Sequence, residues 1–194
     1  MESLFGKPLS PAAALPYFCG IGSTPHSRGR GNMANVKPGD KVPSATIMKM
    51  GEDGRPAKTT TDEYFAGKKT VLFAVPGAFT PTCSAKHLPG FVEKADQIKA
   101  KGVDQIACIA VNDAFVMDAW GQSADAGSKV DMLADGNGEF AKALGLEMDG
   151  SGFGLGQRCQ RFAMVVEDGK ITHLNVEEPG AFEVSSAEHV LGQL

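Results

Sequence analysis

Cys83 is the residue best placed to do chemistry, and its neighbours are spaced to help it. Thr80 stands three residues before it and His87 four residues after, in the run Pro76-Gly77-Ala78-Phe79-Thr80-Pro81-Thr82-Cys83-Ser84-Ala85-Lys86-His87. A thiol acts as a nucleophile in its thiolate form. The unsatisfied N–H groups and positive potential at the start of a helix favour that charged form. From three residues upstream, the Thr80 hydroxyl can face the sulfur or donate to an oxygen bound beside it. A nearby cation would favour the thiolate further and polarise a substrate oxygen, and Arg158 and Arg161 stand at the start of a later strand. His87 shares the helix face of Cys83. That leaves two readings open, a Cys–His pair of the kind thiol hydrolases use and a packing or capping role. A free cysteine also has a bland reading as a buried, inert thiol.

The elements around this run decide where it sits. Thr70 to Val75 is almost wholly apolar, which predicts a strand buried on both faces. It runs straight into the cysteine segment, and a helical pattern from about 83 to 101 follows, bent near Pro89-Gly90. Upstream, Ala45 to Met50 alternates like a strand, Glu52 to Arg55 reads as a hairpin turn, and Thr61 to Phe65 as a short helix with Thr61 as N-cap. Downstream, Ile106 to Val111 is a second buried strand. Asp113 to Trp120 is a helix with Phe115, Val116, Ala119 and Trp120 on its apolar side. Val130 to Asp135 is a strand and Gly138 to Leu146 a helix. Arg161 to Val166 and Lys170 to Val176 form a hairpin around Glu167-Asp168-Gly169, and Ser186 to Leu194 is a last helix capped by Ser185 or Ser186. Two βαβ units, then a hairpin and a helix, predict an α/β fold with a mixed central sheet and helices on both faces. The glycine-rich stretch Gly152 to Gly156 lacks the strand-to-helix context of a phosphate loop.

A chain of 194 residues, 42% hydrophobic and 22% charged, is large enough for one soluble domain with its own core, and residues 33–194 carry that pattern. Residues 1–32 differ: four prolines, an Arg-Gly-Arg-Gly run, and Glu2 as the single acid. They read as a disordered leader. A transit peptide and an extension upstream of an internal start at Met33 are the open alternatives. A net charge of −4 argues against nucleic acid and against an anionic membrane surface as partners. The four cysteines, Cys19, Cys83, Cys108 and Cys159, are far apart, with no CxxC pair and no histidines at metal spacing. That speaks against a zinc site and a dense disulfide framework, and for thiols acting singly in a reducing compartment.

Pro76-x-x-x-Thr80-x-x-Cys83 resembles the active-site motif of peroxiredoxins. The extended run from Val75 to Phe91 is similar to the type II, or class five, subfamily. So are Val111-Asn112-Asp113-Ala114-Phe115-Val116, Leu133-Ala134-Asp135-Gly136 and Arg161 to Gly169, and the likeness extends from about Val36 to Leu194. The resemblance implies a thioredoxin-like fold, in keeping with the mixed sheet read from the elements. It implies Cys83 as the peroxidatic cysteine, shielded by Pro76, with Thr80 holding the peroxide and Arg161 activating both. It implies reduction of hydrogen peroxide and alkyl hydroperoxides, with no metal, haem or flavin. Glutathione/glutaredoxin or thioredoxin would act as donor, in antioxidant defence and peroxide signalling. It also implies a homodimer packed through the loops beside the site. The compartment expected is the cytoplasm, or a mitochondrion or plastid if residues 1–32 are a transit peptide.

The chain departs from the family where a resolving cysteine can lie: Gly180 to Ser186 has none. Cys108 matches a second cysteine of plant-type members, but sits in a continuous apolar strand. Cys159 is two residues before Arg161, so a single strand would put both on one face, which makes it a second candidate resolving or modulating thiol. These features favour a one-cysteine cycle. The competing reading is a peroxide sensor that changes a partner contact on oxidation with little turnover.

Overall fold

The computed structural model describes residues 34–194, so the readings of residues 1–32 and of Cys19 lie outside the described residues. The chain opens with the hairpin β1 (Thr46–Met50) and β2 (Pro56–Thr60), followed by α1 (Thr61–Phe65). The cap of α1 is Thr60, one residue earlier than expected. Its hydroxyl accepts from Glu63 N (3.2 Å) while the Glu63 carboxylate accepts from Thr60 N (3.1 Å). Thr61 is occupied elsewhere, donating to Pro43 O (2.7 Å) and accepting from Ala45 N (3.0 Å).

Then come β3 (Lys69–Ala74), a π turn (Cys83–His87), α2 (Leu88–Lys99), β4 (Gln105–Ala110), α3 (Ala114–Ser123), β5 (Asp131–Ala134) and α4 (Glu139–Leu144). A short pair follows, β6 (Glu147–Asp149) with β7 (Gln157–Cys159), and the chain closes with β8 (Phe162–Glu167), β9 (Lys170–Val176) and α5 (Ala187–Leu191). The main sheet has the order β2-β1-β5-β4-β3-β8-β9. β3, β4 and β5 are parallel, while β8 runs antiparallel to β3 and β9 to β8. This is the expected mixed sheet. One face is covered by α2, α3 and α5, with Phe91, Ile98, Met117, Trp120 and Val190 in its core. The other is covered by α1 and α4, with Tyr64, Phe65, Phe140 and Leu144. β3 faces both, and its residues Val71 to Ala74 are fully buried.

Three further expectations need correction. The irregularity in the active-site helix is not at Pro89-Gly90 but earlier, in the π turn, where Leu88 N bonds Cys83 O. Pro89 follows at the start of α2, and having no N–H to give it marks where the widened turn reverts to α. In α3, Asp113 accepts from Val116 N and sets the phase of the helix. The buried positions are therefore Ala114, Met117, Trp120 and Gly121, while Phe115 is 61% exposed. Finally, the stretch before β8 is not one continuous strand. β7 ends at Cys159, and Gln160 and Arg161 carry the chain from the small sheet into the large one.

Candidate active site

Strand register brings the chemistry to one end of the sheet. Ala74 of β3 pairs with Phe162 of β8, so Arg161 lies beside the point where the chain leaves β3 toward Cys83. Phe162 pairs in turn with Val176, and Glu177 N bonds Arg161 O (3.0 Å) on the far side. Pro76 stands half-buried at the exit from β3, and Pro81 occupies the first helical position, where a missing N–H costs nothing.

Thr80, Cys83 and His87 lie together on the turn that their spacing suggested, and Arg161, the cation that the resemblance implied, reaches them from just before β8. Thr80 Oγ1 lies 2.8 Å from Cys83 Sγ and 2.9 Å from Gly77 O. A hydroxyl has one proton, so it donates to one of them at a time, and a thiolate is the stronger acceptor of the two. Arg161 Nη2 donates to Cys83 Sγ at 3.4 Å. Its Nη1 lies 2.8 Å from His87 Nδ1. Guanidinium can only donate, so Nδ1 must carry the lone pair and Nε2 the proton, which it gives to Ser185 O at 3.0 Å. His87 is therefore neutral. Burial, and secondarily the Arg161 charge, pushes it down to about 3, against the opposing pull of the Ser185 carbonyl. The imidazole is packed between Phe73 and Phe182, and the Phe182 ring also lies under the Arg161 guanidinium at 5.7 Å.

Several contributors are not evident from the sequence. Glu177 is buried, and its Oε1 accepts from Glu183 N, Ser185 N and Ser185 Oγ at 2.6, 2.8 and 2.8 Å. That clasp holds the segment carrying Phe182 and the Ser185 carbonyl. Trp120 Nε1 donates to Ser84 Oγ (3.0 Å), pinning the π turn to α3. Asn112 Oδ1 accepts from Ala78 N (3.0 Å), joining the loops that follow β3 and β4. Asn112, Ala78 and Ser84 fall in motifs that the sequence singled out, whereas Glu177 does not. Phe79, just before Thr80, is 56% exposed and holds a left-handed φ of 59°, a backbone state that non-glycine residues adopt at a cost.

The other thiols stand apart. Cys108 is opposite Phe73 in β4, in the same core cluster as Cys83 and wholly buried. Burial pushes its thiol well above the ordinary range, with the nearby Cys83 adding to the shift. Cys159 lies in the cluster on the opposite sheet face, so the expectation that it shares a face with Arg161 fails at the crossover of residues 160–161. Burial, then the charges of Asp135 and Glu147, raise its thiol too. Among the described residues no group of His, Cys, Asp and Glu could hold a metal. Cys83 itself is 0% exposed. What the arrangement can do is attack an electrophile with sulfur while Thr80 and Arg161 donate to an atom gaining negative charge.

Residues 37–191 match the Redoxin family model. The chain is 54% identical over 166 residues to a peroxiredoxin-2E-2 of Oryza sativa subsp. japonica named as chloroplastic, spanning 84% of this chain and 74% of that one. It is 50% identical over 162 residues to peroxiredoxin-2B of Arabidopsis thaliana, spanning 84% of this chain and 100% of the relative. The fold is similar to the crystal structure of reduced Prx3 in complex with hydrogen peroxide from Vibrio vulnificus. That similarity has a TM-score of 0.78 and 55% identity, covering 81% of this chain and 98% of the other.

Proposed function

The chain belongs to the type II peroxiredoxins and is a thiol-dependent peroxidase with a thioredoxin-like fold; we propose that its peroxidatic group is Cys83, served by Thr80, Arg161 and Pro76. The observation that carries this reading is the convergence of the Thr80 hydroxyl and the Arg161 guanidinium on the Cys83 sulfur. The similar structure bound to hydrogen peroxide supports it.

In the reaction, the Cys83 thiolate attacks the nearer peroxide oxygen. An S–O bond forms as the O–O bond breaks, and the sulfur is oxidised to a sulfenic acid. The attacked oxygen keeps its hydrogen, while the leaving hydroxide or alkoxide takes a proton from solvent to become water or alcohol. Arg161 and Thr80 are aimed where that leaving oxygen gains charge, which is the contribution that lowers the barrier. Pro76 fixes the turn over the sulfur. A first external thiol then displaces the sulfenic oxygen as water to give a mixed disulfide, and a second releases the Cys83 thiolate and leaves with the first as a disulfide. Thiol sulfur is the sole redox group in this cycle, so no bound cofactor enters it.

We assign a one-cysteine cycle with glutathione/glutaredoxin or thioredoxin as donor. Cys108 lies inside the core with its thiol pushed well above the ordinary range, Cys159 lies in the cluster on the opposite sheet face, and Gly180 to Ser186 offers no thiol. The chain acts as a homodimer through the loops beside the site, a reading supported by the exposed rings of Phe79, Phe115 and Phe153 on three neighbouring segments. The acid-poor residues 1–32, with chloroplastic naming among the relatives, support an organellar address over a cytoplasmic one. Peroxide consumption with each donor system tests the cycle. Turnover that survives Cys108→Ser and Cys159→Ser is expected. Loss of turnover in either variant would reinstate that cysteine as the resolving thiol. Sulfenylation of Cys83 without turnover by any donor would favour a sensor.

A further inference from the structure

We propose that Arg158 is a positioning residue for the peroxide reaction: its guanidinium braces the turn of residues 77–80 so that the Thr80 hydroxyl stays on the Cys83 sulfur. The proposal rests on the reading of Cys83 as the peroxidatic thiol.

Arg158 sits in β7, three residues before Arg161, yet serves a different part of the site. Arg161 reaches the sulfur, whereas all the hydrogen bonds of Arg158 go to neutral acceptors on surrounding loops. Its Nε donates to Leu155 O (2.8 Å), and its Nη1 to Val111 O (3.2 Å) and Asn112 Oδ1 (3.3 Å). Asn112 Oδ1 also takes the Ala78 N–H at 3.0 Å. One guanidinium therefore ties the loop joining β6 to β7 to the end of β4 and, through Asn112, to the turn leading into Cys83.

Packing makes the brace tight. A Cβ placed on Gly77 would lie 3.0 Å from Arg158 Nη1 and 3.2 Å from Thr80 Cγ2. Guanidinium, glycine backbone and threonine methyl are thus layered with no room for a side chain between them. The Gly77 carbonyl is the second acceptor within reach of the Thr80 hydroxyl, at 2.9 Å. Thr80 stands three residues after Gly77 on the same turn, so a displacement of that turn moves the hydroxyl, which is 2.8 Å from the sulfur. The planar fork of arginine satisfies acceptors on two sides at once, which the single ammonium of lysine does not.

The test compares two reactions of Cys83 in the full chain. Oxidation by hydrogen peroxide needs the Thr80 geometry, whereas alkylation by iodoacetamide needs a reactive sulfur and an open path but not a placed peroxide oxygen. Arg158→Met is expected to slow oxidation about tenfold to hundredfold, the scale of a misplacement near the reacting atoms, with alkylation within about threefold of wild type. Arg158→Lys is expected to be similarly slow. Asn112→Ala should reproduce the defect, and the double variant Arg158→Met/Asn112→Ala should be no worse than the slower single variant, since both break one brace. Should Arg158→Met fold poorly, Asn112→Ala and Arg158→Lys carry the comparison. Oxidation within about twofold of wild type in Arg158→Met, an equal fall in both reactions, full rescue by lysine, or multiplied losses in the double variant would each overturn the proposal. Cys83→Ser run in parallel separates the two readings. If it stops oxidation while Arg158→Met does not slow it, the brace fails alone; if it leaves oxidation intact, the assignment of Cys83 fails with it.

Discussion

Arg161 reaches the Cys83 sulfur with a neutral imidazole behind it, and the imidazole is neutral because Ser185 takes its one N–H and Arg161 needs its lone pair. The folded chain holds His87 down near 3, against about 6.5 in an unfolded chain. Between those values the unfolded state binds a proton that the folded state does not. The stabilisation is therefore complete above pH 6.5 and is lost as pH falls, at up to about 1.4 kcal/mol per unit. Glutamine could keep both hydrogen bonds without titrating. His87→Gln should therefore retain the Arg161 contact and show a shallower loss of stability between pH 6.5 and 4.5 than wild type in urea unfolding; equal slopes would contradict the neutral assignment. Thr80→Val keeps the shape and removes the donor. Peroxide oxidation of Cys83 should fall about a hundredfold, as when one donor to a developing oxyanion is removed, measured by rapid mixing. The spacing of Thr80, Cys83 and His87 on a helix turn was legible in the sequence. The tautomer of His87 was not, since the carbonyl that selects it lies 98 residues further on.

At the scale of elements, the antiparallel pairing of β8 with β3 carries Arg161 to the sulfur, and the segment after β9 holds it there. Glu177 clasps that segment by accepting two backbone N–H groups and one hydroxyl. Glu177→Ala should leave those amides without a partner, costing about 1–3 kcal/mol. Amide exchange at Glu183 and Ser185 should quicken, and peroxide oxidation should slow with it. Exchange unchanged at both amides would show that the clasp does not hold the segment. The strands themselves could be read from apolar runs such as Thr70 to Val75, because burial on two faces leaves a compositional mark. The π turn, the phase of α3 and the sheet change at residues 160–161 left no such mark. The π turn and the sheet change depend on tertiary partners, Trp120 on Ser84 and the crossing of β7 into β8, whereas the phase of α3 is set by a local cap, Asp113 on Val116. That crossing is why Cys159, sharing a face with Arg161 by simple alternation, is on the other side of the sheet.

For the whole molecule, Phe79, Phe115 and Phe153 are the large hydrophobic residues exposed among the described residues, at 56, 61 and 89%. Phe79 precedes Thr80 on the turn that Asn112 fastens, Phe115 follows Asn112 on α3, and Phe153 lies in the loop that Arg158 holds through Leu155. A charge at this rim should divide a dimer into monomers. Sedimentation of Phe115→Glu and Phe153→Glu should give a single-chain mass where wild type gives two, and wild type sedimenting as one chain would contradict the proposed assembly. The most direct measurement of all is a single turnover. Reduced protein is mixed with one equivalent of hydrogen peroxide, quenched with a sulfenic-acid trap, and mapped by mass spectrometry. The trapped oxygen should lie on Cys83 alone, with Cys108 and Cys159 still free and Cys83→Ser untouched by peroxide. Oxidation at Cys108 or Cys159 with Cys83 unmodified, or peroxide consumption undiminished in Cys83→Ser, would contradict the assignment of Cys83 as the reacting thiol.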